Sequence, residues 1–216
     1  MTAKTSSKSG ILRRIRAAND RASTEGEARS AWDALPRNYK QAGNLPPEAM
    51  LELFEDRLRD YDATVTRTSL HDLAHTVAIQ LNARRKQRLV IPPGTPPEWL
   101  PQDFTFVVDE ALTPAQLDAF DGVLTGATLA IAETGTLVLQ SPGQGRRALS
   151  LVPDYQLCIV SAEDIVETVP QAFHLLQSTA DRATTFISGP SATADIEMTR
   201  IKGVHGPRVL DVLLIV

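Results

Sequence analysis

The chain has 216 residues, 43% of them apolar and 22% charged, which excludes a disordered polymer and is large enough for one sizeable core. A single cysteine, Cys158, excludes an internal disulfide and any four-thiolate zinc or iron–sulfur site held by this chain alone. Net charge is −4, and no apolar run approaches the ~18 residues of a membrane helix, so a cytoplasmic protein without a transmembrane segment is expected.

That charge is unevenly spread. Residues 1–40 hold nine Lys and Arg against four Asp and Glu, while the remainder is acidic. Only Trp32 and Tyr39 are aromatic in this stretch, so there is no base-stacking platform and nucleic acid is not expected as a partner. Residues 1–45 read as a basic arm with a short helix through Ile11, Leu12 and Ile15, too poor in apolar residues for a core of its own. A basic segment of this kind suits encounter with an acidic protein partner.

Residues 46–216 read as one α/β domain. Pro46 and Pro47 start a helix with Met50, Leu51, Phe54, Leu58 and Tyr61 at helical spacing. A strand follows at Asp62–Thr66, then a helix capped by Ser69 with Leu70, Leu73, Val77 and Leu81 as its stripe. Strands are expected at Arg88–Ile91 and Phe104–Val108, and a short helix at Thr113–Pro114. Three short apolar runs crowd Gly122–Gln140, which suggests a mixed strand order. Tyr155–Val160 reads as a strand, Ala162–Leu176 as a helix, and Thr184–Ile187 and Val209–Ile215 as further strands. Strands apolar on both faces, alternating with helices, point to a mostly parallel sheet covered by helices.

Four segments carry candidate chemistry. Ala132–Thr136 sets Glu133 beside Thr134, Gly135 and Thr136, either a carboxylate at a ligand crevice or a tight turn between strands. Ser141–Arg147 brings two guanidinium groups to a glycine-rich turn suited to an anion. Ser188–Glu197 follows a strand and reads as the opening of a short helix, with Ser188, Gly189, Ser191 and Thr193 near its start and Asp195 and Glu197 nearby. Gly203–Pro207 fixes His205 beside Gly206 on a stiff turn, fit for proton transfer or for a purely structural bond. His71 and His75 imitate a zinc helix but fall on the flank of the stripe, so they read as surface residues and no metal site is expected.

Taken in order, Ala132–Thr136, Arg147–Pro153, Ser188–Glu197 and Gly203–Pro207 resemble the LUD-domain family, specifically its lactate-utilisation protein C branch. The resemblance spans Leu51–Val216. It implies a three-layer α/β/α sandwich with a mixed, mostly parallel sheet, similar to the CoA-transferase, ribose-5-phosphate isomerase and glucosamine-6-phosphate deaminase group. It also implies a place in a bacterial system that oxidises L-lactate to pyruvate, as the accessory or ligand-binding subunit without iron–sulfur clusters. No cofactor is then expected on this chain, and the clusters sit on iron–sulfur and cysteine-rich partner proteins. The alternative is a free-standing small-molecule enzyme or binding protein of the CoA-transferase type. On either reading Glu133, Asp195 and His205 are the candidates for chemistry. Thr134, Gly135, Thr136, Arg147, Ser188, Gly189, Ser191, Thr193 and Gly206 are the candidates for holding a small anionic ligand.

Overall fold

The computed structural model describes residues 7–18, 24–190, 192–193, 201–203 and 205–216. The chain divides into two units, one ending at Tyr39 and one running Lys40–Val216. The first unit contains helices α1 (Ser7–Ala18) and α2 (Glu25–Asp33). Sequence signals for α2 are weak in hydrophobicity but real in chemistry. Thr24 accepts from the Glu27 N–H at 3.3 Å while the Glu27 carboxylate takes the Thr24 N–H at 2.7 Å, a reciprocal cap.

In the second unit α3 (Pro47–Asp60) opens on Pro47 at its first position and buries Leu51, Phe54 and Leu58. Strand β1 (Thr64–Thr68) follows. Helix α4 (Leu73–Arg84) buries Leu73, Val77 and Leu81, but it begins later than Ser69 suggests. Ser69 closes a turn instead, accepting the Asp72 N–H at 3.1 Å, and this leaves Leu70 exposed outside the helix stripe. Strands β2 (Arg88–Ile91), β3 (Thr105–Val108), β4 (Gly122–Gly126), β7 (Tyr155–Ser161) and β12 (Val209–Ile215) complete a sheet with β1 in the order β1-β12-β7-β4-β2-β3. Every pairing in it is parallel.

The mixed strand order lies elsewhere. After Gly126 the chain leaves the central sheet, and β5 (Leu129–Ile131), β6 (Thr136–Gln140), β8 (Ile165–Val166) and β9 (Thr184–Ile187) form a separate sheet ordered β8-β5-β6-β9. Its β5–β6 and β6–β9 pairs are antiparallel and β5–β8 is parallel. Period-two alternation gives this small sheet two buried faces. Ala130, Leu137 and Leu139 pack with α3 against Cys158, Val160 and Val212 of the central sheet, while Leu129, Ile131 and Val138 meet Ala172 and Leu176. The last two belong to α6 (Val169–Leu176), the only α-helical part of the long helix expected from Ala162. The open edge of β5 takes Ile165 and Val166 as a strand, and Thr168 with Gln171 forms the reciprocal cap that starts α6 afterwards. The opposite face of the central sheet is covered by α4, whose leucines pack on Leu89, Leu124, Leu157 and Leu213, while the short helix α5 (Pro114–Asp118) buries Leu117 with Val90 and Val123.

Among the described residues no helix is long and apolar enough to cross a membrane.

Candidate functional site

The turn between β5 and β6 carries Glu133. Gly135 there has φ +57°, and a Cβ on it would stand 2.8 Å from the Arg57 carbonyl carbon in the last turns of α3. Glycine is therefore what lets the turn seat on the helix backbone. Beyond it, hydroxyls line up: Thr134 with Thr136 at 2.7 Å, and Thr136 with Ser188 at 2.7 Å. This chain of hydroxyls ties the Glu133 turn to the loop that follows β9.

The Glu133 carboxylate takes Lys40 Nζ at 2.8 Å, and the same ammonium also contacts Glu167. Glu167, 3% exposed in its side chain, accepts the Leu45 N–H at 2.7 Å as well. A Cβ on Gly43 would lie 2.2 Å from the Glu167 carboxylate, so residues 40–45 run closely over this pair of acids. The bonds from Lys40 and then from the Leu45 N–H hold the Glu167 carboxyl below its ordinary range, and the two carboxylates raise Lys40. Neither Lys40 nor Glu167 is suggested by the sequence. The nearest signal is the Thr168–Gln171 cap, which marks Glu167 as the residue just before a helix but says nothing of its partner.

This strap should respond to pH with a defined sign. Because the folded Glu167 is depressed, its contribution is complete above the ordinary glutamate range and is lost as pH falls through the folded value. Replacing Lys40 with Met should speed amide exchange at Leu45 near neutral pH, where the wild type stays protected. Equal exchange in the two proteins would show that Lys40 does not hold the strap.

A second group of residues encloses a cavity of about 310 Å³, lined by Arg147, Ser150, Phe186, Ser188, His205 and Pro207 among others. Five of the sequence candidates meet here: Arg147, Ser188, Gly189, His205 and Gly206. Gly189, at φ +78°, lies so close to Tyr61 that a Cβ would stand 2.3 Å from the tyrosine Cβ, which fixes the loop after β9 against the end of α3. Gly206 and Pro207 lead directly into β12, and the Arg208 N–H donates to the Asp154 carbonyl at 2.9 Å just before β7. The cavity therefore opens at the amino ends of β7 and β12. Its lining thus joins the segment ahead of β12 to residues 188–190, which follow the carboxyl end of β9.

The two adjacent arginines part company. Arg146 is bound to Asp109 through Nε at 2.6 Å and Nη2 at 2.9 Å, and it also donates to the Leu112 carbonyl. That bidentate pair lowers the Asp109 carboxyl and makes Arg146 a structural clamp. Arg147 instead donates to the buried Ser150 Oγ and to the His205 carbonyl, both at 3.0 Å. Among the described residues it pairs with no carboxylate, and its partial withdrawal from water lowers its pKa.

Of the other described candidates, Thr136 meets this group through Ser188, and Glu133 is not part of the cavity lining. Glu133 is turned to Lys40 and Glu167. Ser191 and Asp195 lie outside the described residues. The expected helix start near Thr193 is replaced by β10 (Ala192–Thr193), which pairs antiparallel with β11 (Ile201–Lys202); β-branched threonine suits that extended backbone.

The LUD domain pattern matches residues 48–215. The chain belongs to the LUD domain family. Within it, a relative from Deinococcus radiodurans, "Lactate utilization protein C", is 42% identical over 193 residues, covering 87% of this chain and 89% of the relative. A Shouchella clausii protein of the same name is 38% identical over 97 residues, 43% of this chain and 42% of its own length. The crystal structure of a DUF162 family protein from Deinococcus radiodurans superposes with a TM-score of 0.69 at 37% identity, covering 80% of this chain and 100% of that one. The LUD match begins within α3 and ends in β12, so it contains Glu133, Arg147 and His205, whereas the strap of residues 40–45 lies just ahead of it.

Proposed function

We propose that this LUD-domain chain works in L-lactate utilisation as the subunit that carries no iron–sulfur cluster, beside partner proteins that do. The observation that carries this reading is the 42% identity to "Lactate utilization protein C" over nearly the whole of both chains. Thiol chemistry supports the division of labour. Oxidation of lactate to pyruvate releases two electrons and two protons, and a cluster to receive the electrons takes several thiolates. Cys158 is the only cysteine, it is fully buried in the central sheet, and burial pushes its thiol up to about 12. On this reading the clusters sit on iron–sulfur and cysteine-rich partners. A free-standing transferase with Glu133 as nucleophile is less well supported, because that carboxylate already holds the Lys40 ammonium.

Deleting the gene should abolish or sharply slow growth on L-lactate as sole carbon source while growth on glucose continues, and the intact chain supplied in trans should restore it. Normal growth of the deletion strain on L-lactate would remove the basis of this reading.

A further inference from the structure

Arg147 is an unusual arginine. It is an exposed residue, yet its guanidinium is not left to wander. One end is fixed on Ser150 Oγ, a hydroxyl in a residue only 4% exposed, and the other on the His205 carbonyl, across a sequence separation of 58. Both acceptors are neutral. Two of its five N–H donors are used in this way, so the fork is oriented while three donors and the whole positive charge are left for something else. The neighbouring Arg146 shows what this chain does when a guanidinium is structural: it supplies a buried aspartate at 2.6 Å. No such partner meets Arg147 among the described residues.

The rest of the cavity describes the other half of a ligand. Phe186, stacked on Phe173 with ring centroids 5.6 Å apart, and Pro207 give an apolar wall. The Ser188 hydroxyl, paired with Thr136 at 2.7 Å, adds one neutral polar group to the lining. Among the described lining residues only Arg147 and His205 are ionisable.

We propose that this cavity binds a short-chain monocarboxylate, with the Arg147 guanidinium on the carboxylate and the carbon chain against Phe186 and Pro207. A planar fork matches a carboxylate through two parallel hydrogen bonds, and a single fixed cation balances a monoanion. Ser150 acts as a positioning residue, because its hydroxyl accepts from the Arg147 guanidinium at 3.0 Å and so orients the fork. The choice of L-lactate as a probe rests on the reading in the preceding section, but the site itself does not.

Titration calorimetry on the full chain tests this with L-lactate, pyruvate, acetate and inorganic phosphate. At least one of the three carboxylates should bind the wild type more tightly than phosphate. Arg147→Met should weaken that binding at least about tenfold, the loss of a charge-assisted pair of hydrogen bonds. Arg147→Lys keeps the charge and tests the fork: binding should still fall by several-fold, because a compact ammonium cannot make two parallel bonds. Since Arg147 is exposed, both variants should melt close to the wild type, and Arg147→Lys carries the test if Arg147→Met does not fold. Absence of carboxylate binding, binding unchanged in both variants, or phosphate bound as tightly as any carboxylate would each overturn the proposal. The outcomes separate from those of the growth experiment. Lost binding with a retained growth defect removes this site alone, and normal growth with retained binding removes only the lactate role.

Discussion

Asp211→Ala should destabilise the α/β unit by about 2–4 kcal/mol, one of the largest effects expected of a single polar substitution here. Asp211 sits in the middle of β12, is 1% exposed, and accepts four hydrogen bonds. Gln80 Nε2 donates at 2.7 Å, Arg84 through Nε at 2.8 Å and Nη2 at 2.6 Å, and the Tyr155 hydroxyl at 3.0 Å. Three structural elements, α4, β7 and β12, are thus pinned at one carboxylate. Breaking a buried ion pair typically costs about 3–5 kcal/mol, but the Arg84 side chain is 35% exposed and can turn to water, which trims that figure. Tyr155 has no such escape, because its residue is 1% exposed and its hydroxyl would stay buried without an acceptor. At about 2–4 °C per kcal/mol for a domain of this size, the melting midpoint should fall by roughly 5–15 °C. Asp211→Asn should fall between the two proteins, since one amide oxygen remains but its NH₂ faces donors. A thermal melt that moves by less than about 1 °C in Asp211→Ala would show that the network contributes little.

The elements that could be read from sequence are those whose signal is local. β12 is apolar at nearly every position because both of its faces are covered, and Thr113–Pro114 states a helix start in chemistry that any fold would use. Thr168 with Gln171 is an equally local cap, yet Ala162–Leu176 reads as one helix because Ile165 and Val166 fit a helical stripe as well as a strand. What decides between them is the free edge of β5, a tertiary fact. Leu70 fails for the same reason: it has the right spacing for the α4 stripe but lies in the turn closed by Ser69.

The site divides along the same line. Arg146 and Arg147 are indistinguishable as sequence, and only the fold brings Asp109 to one and Ser150 with the His205 carbonyl to the other. Meeting of Arg147, Ser188 and His205 around one cavity is implied by their shared family pattern, not by any periodicity. Lys40 and Glu167 are separated by 127 residues, and an ion pair at that distance leaves no pattern in the chain. Gly135 and Gly189 tolerate no side chain, because the α3 backbone and Tyr61 approach them closely.

That last point makes the second large effect predictable. Gly135→Ala should cost about 3 kcal/mol or more, from two separable sources. First, φ is +57°, a left-handed conformation that costs an alanine about 1–2 kcal/mol. Second, the new Cβ would meet the backbone of α3, 2.8 Å from the Arg57 carbonyl carbon and 3.0 Å from the Leu58 nitrogen. Helix backbone cannot swing aside as a flexible side chain would, so either the turn or α3 must shift, and α3 is anchored by Phe54 and Leu58, both fully buried. Gly94 isolates the first source, because its φ is +83° but nothing stands within 4 Å of its missing Cβ. Gly94→Ala should therefore lose only about 1–2 kcal/mol, the conformational part alone. Urea unfolding of the two variants beside the wild type measures the difference. Equal midpoints for Gly94→Ala and Gly135→Ala would mean that the turn bearing Glu133 does not rest on α3 as closely as the geometry states. A clear excess at Gly135 would instead show that the position of Glu133, and with it the Thr134–Thr136–Ser188 hydroxyl chain, depends on this one contact with the helix.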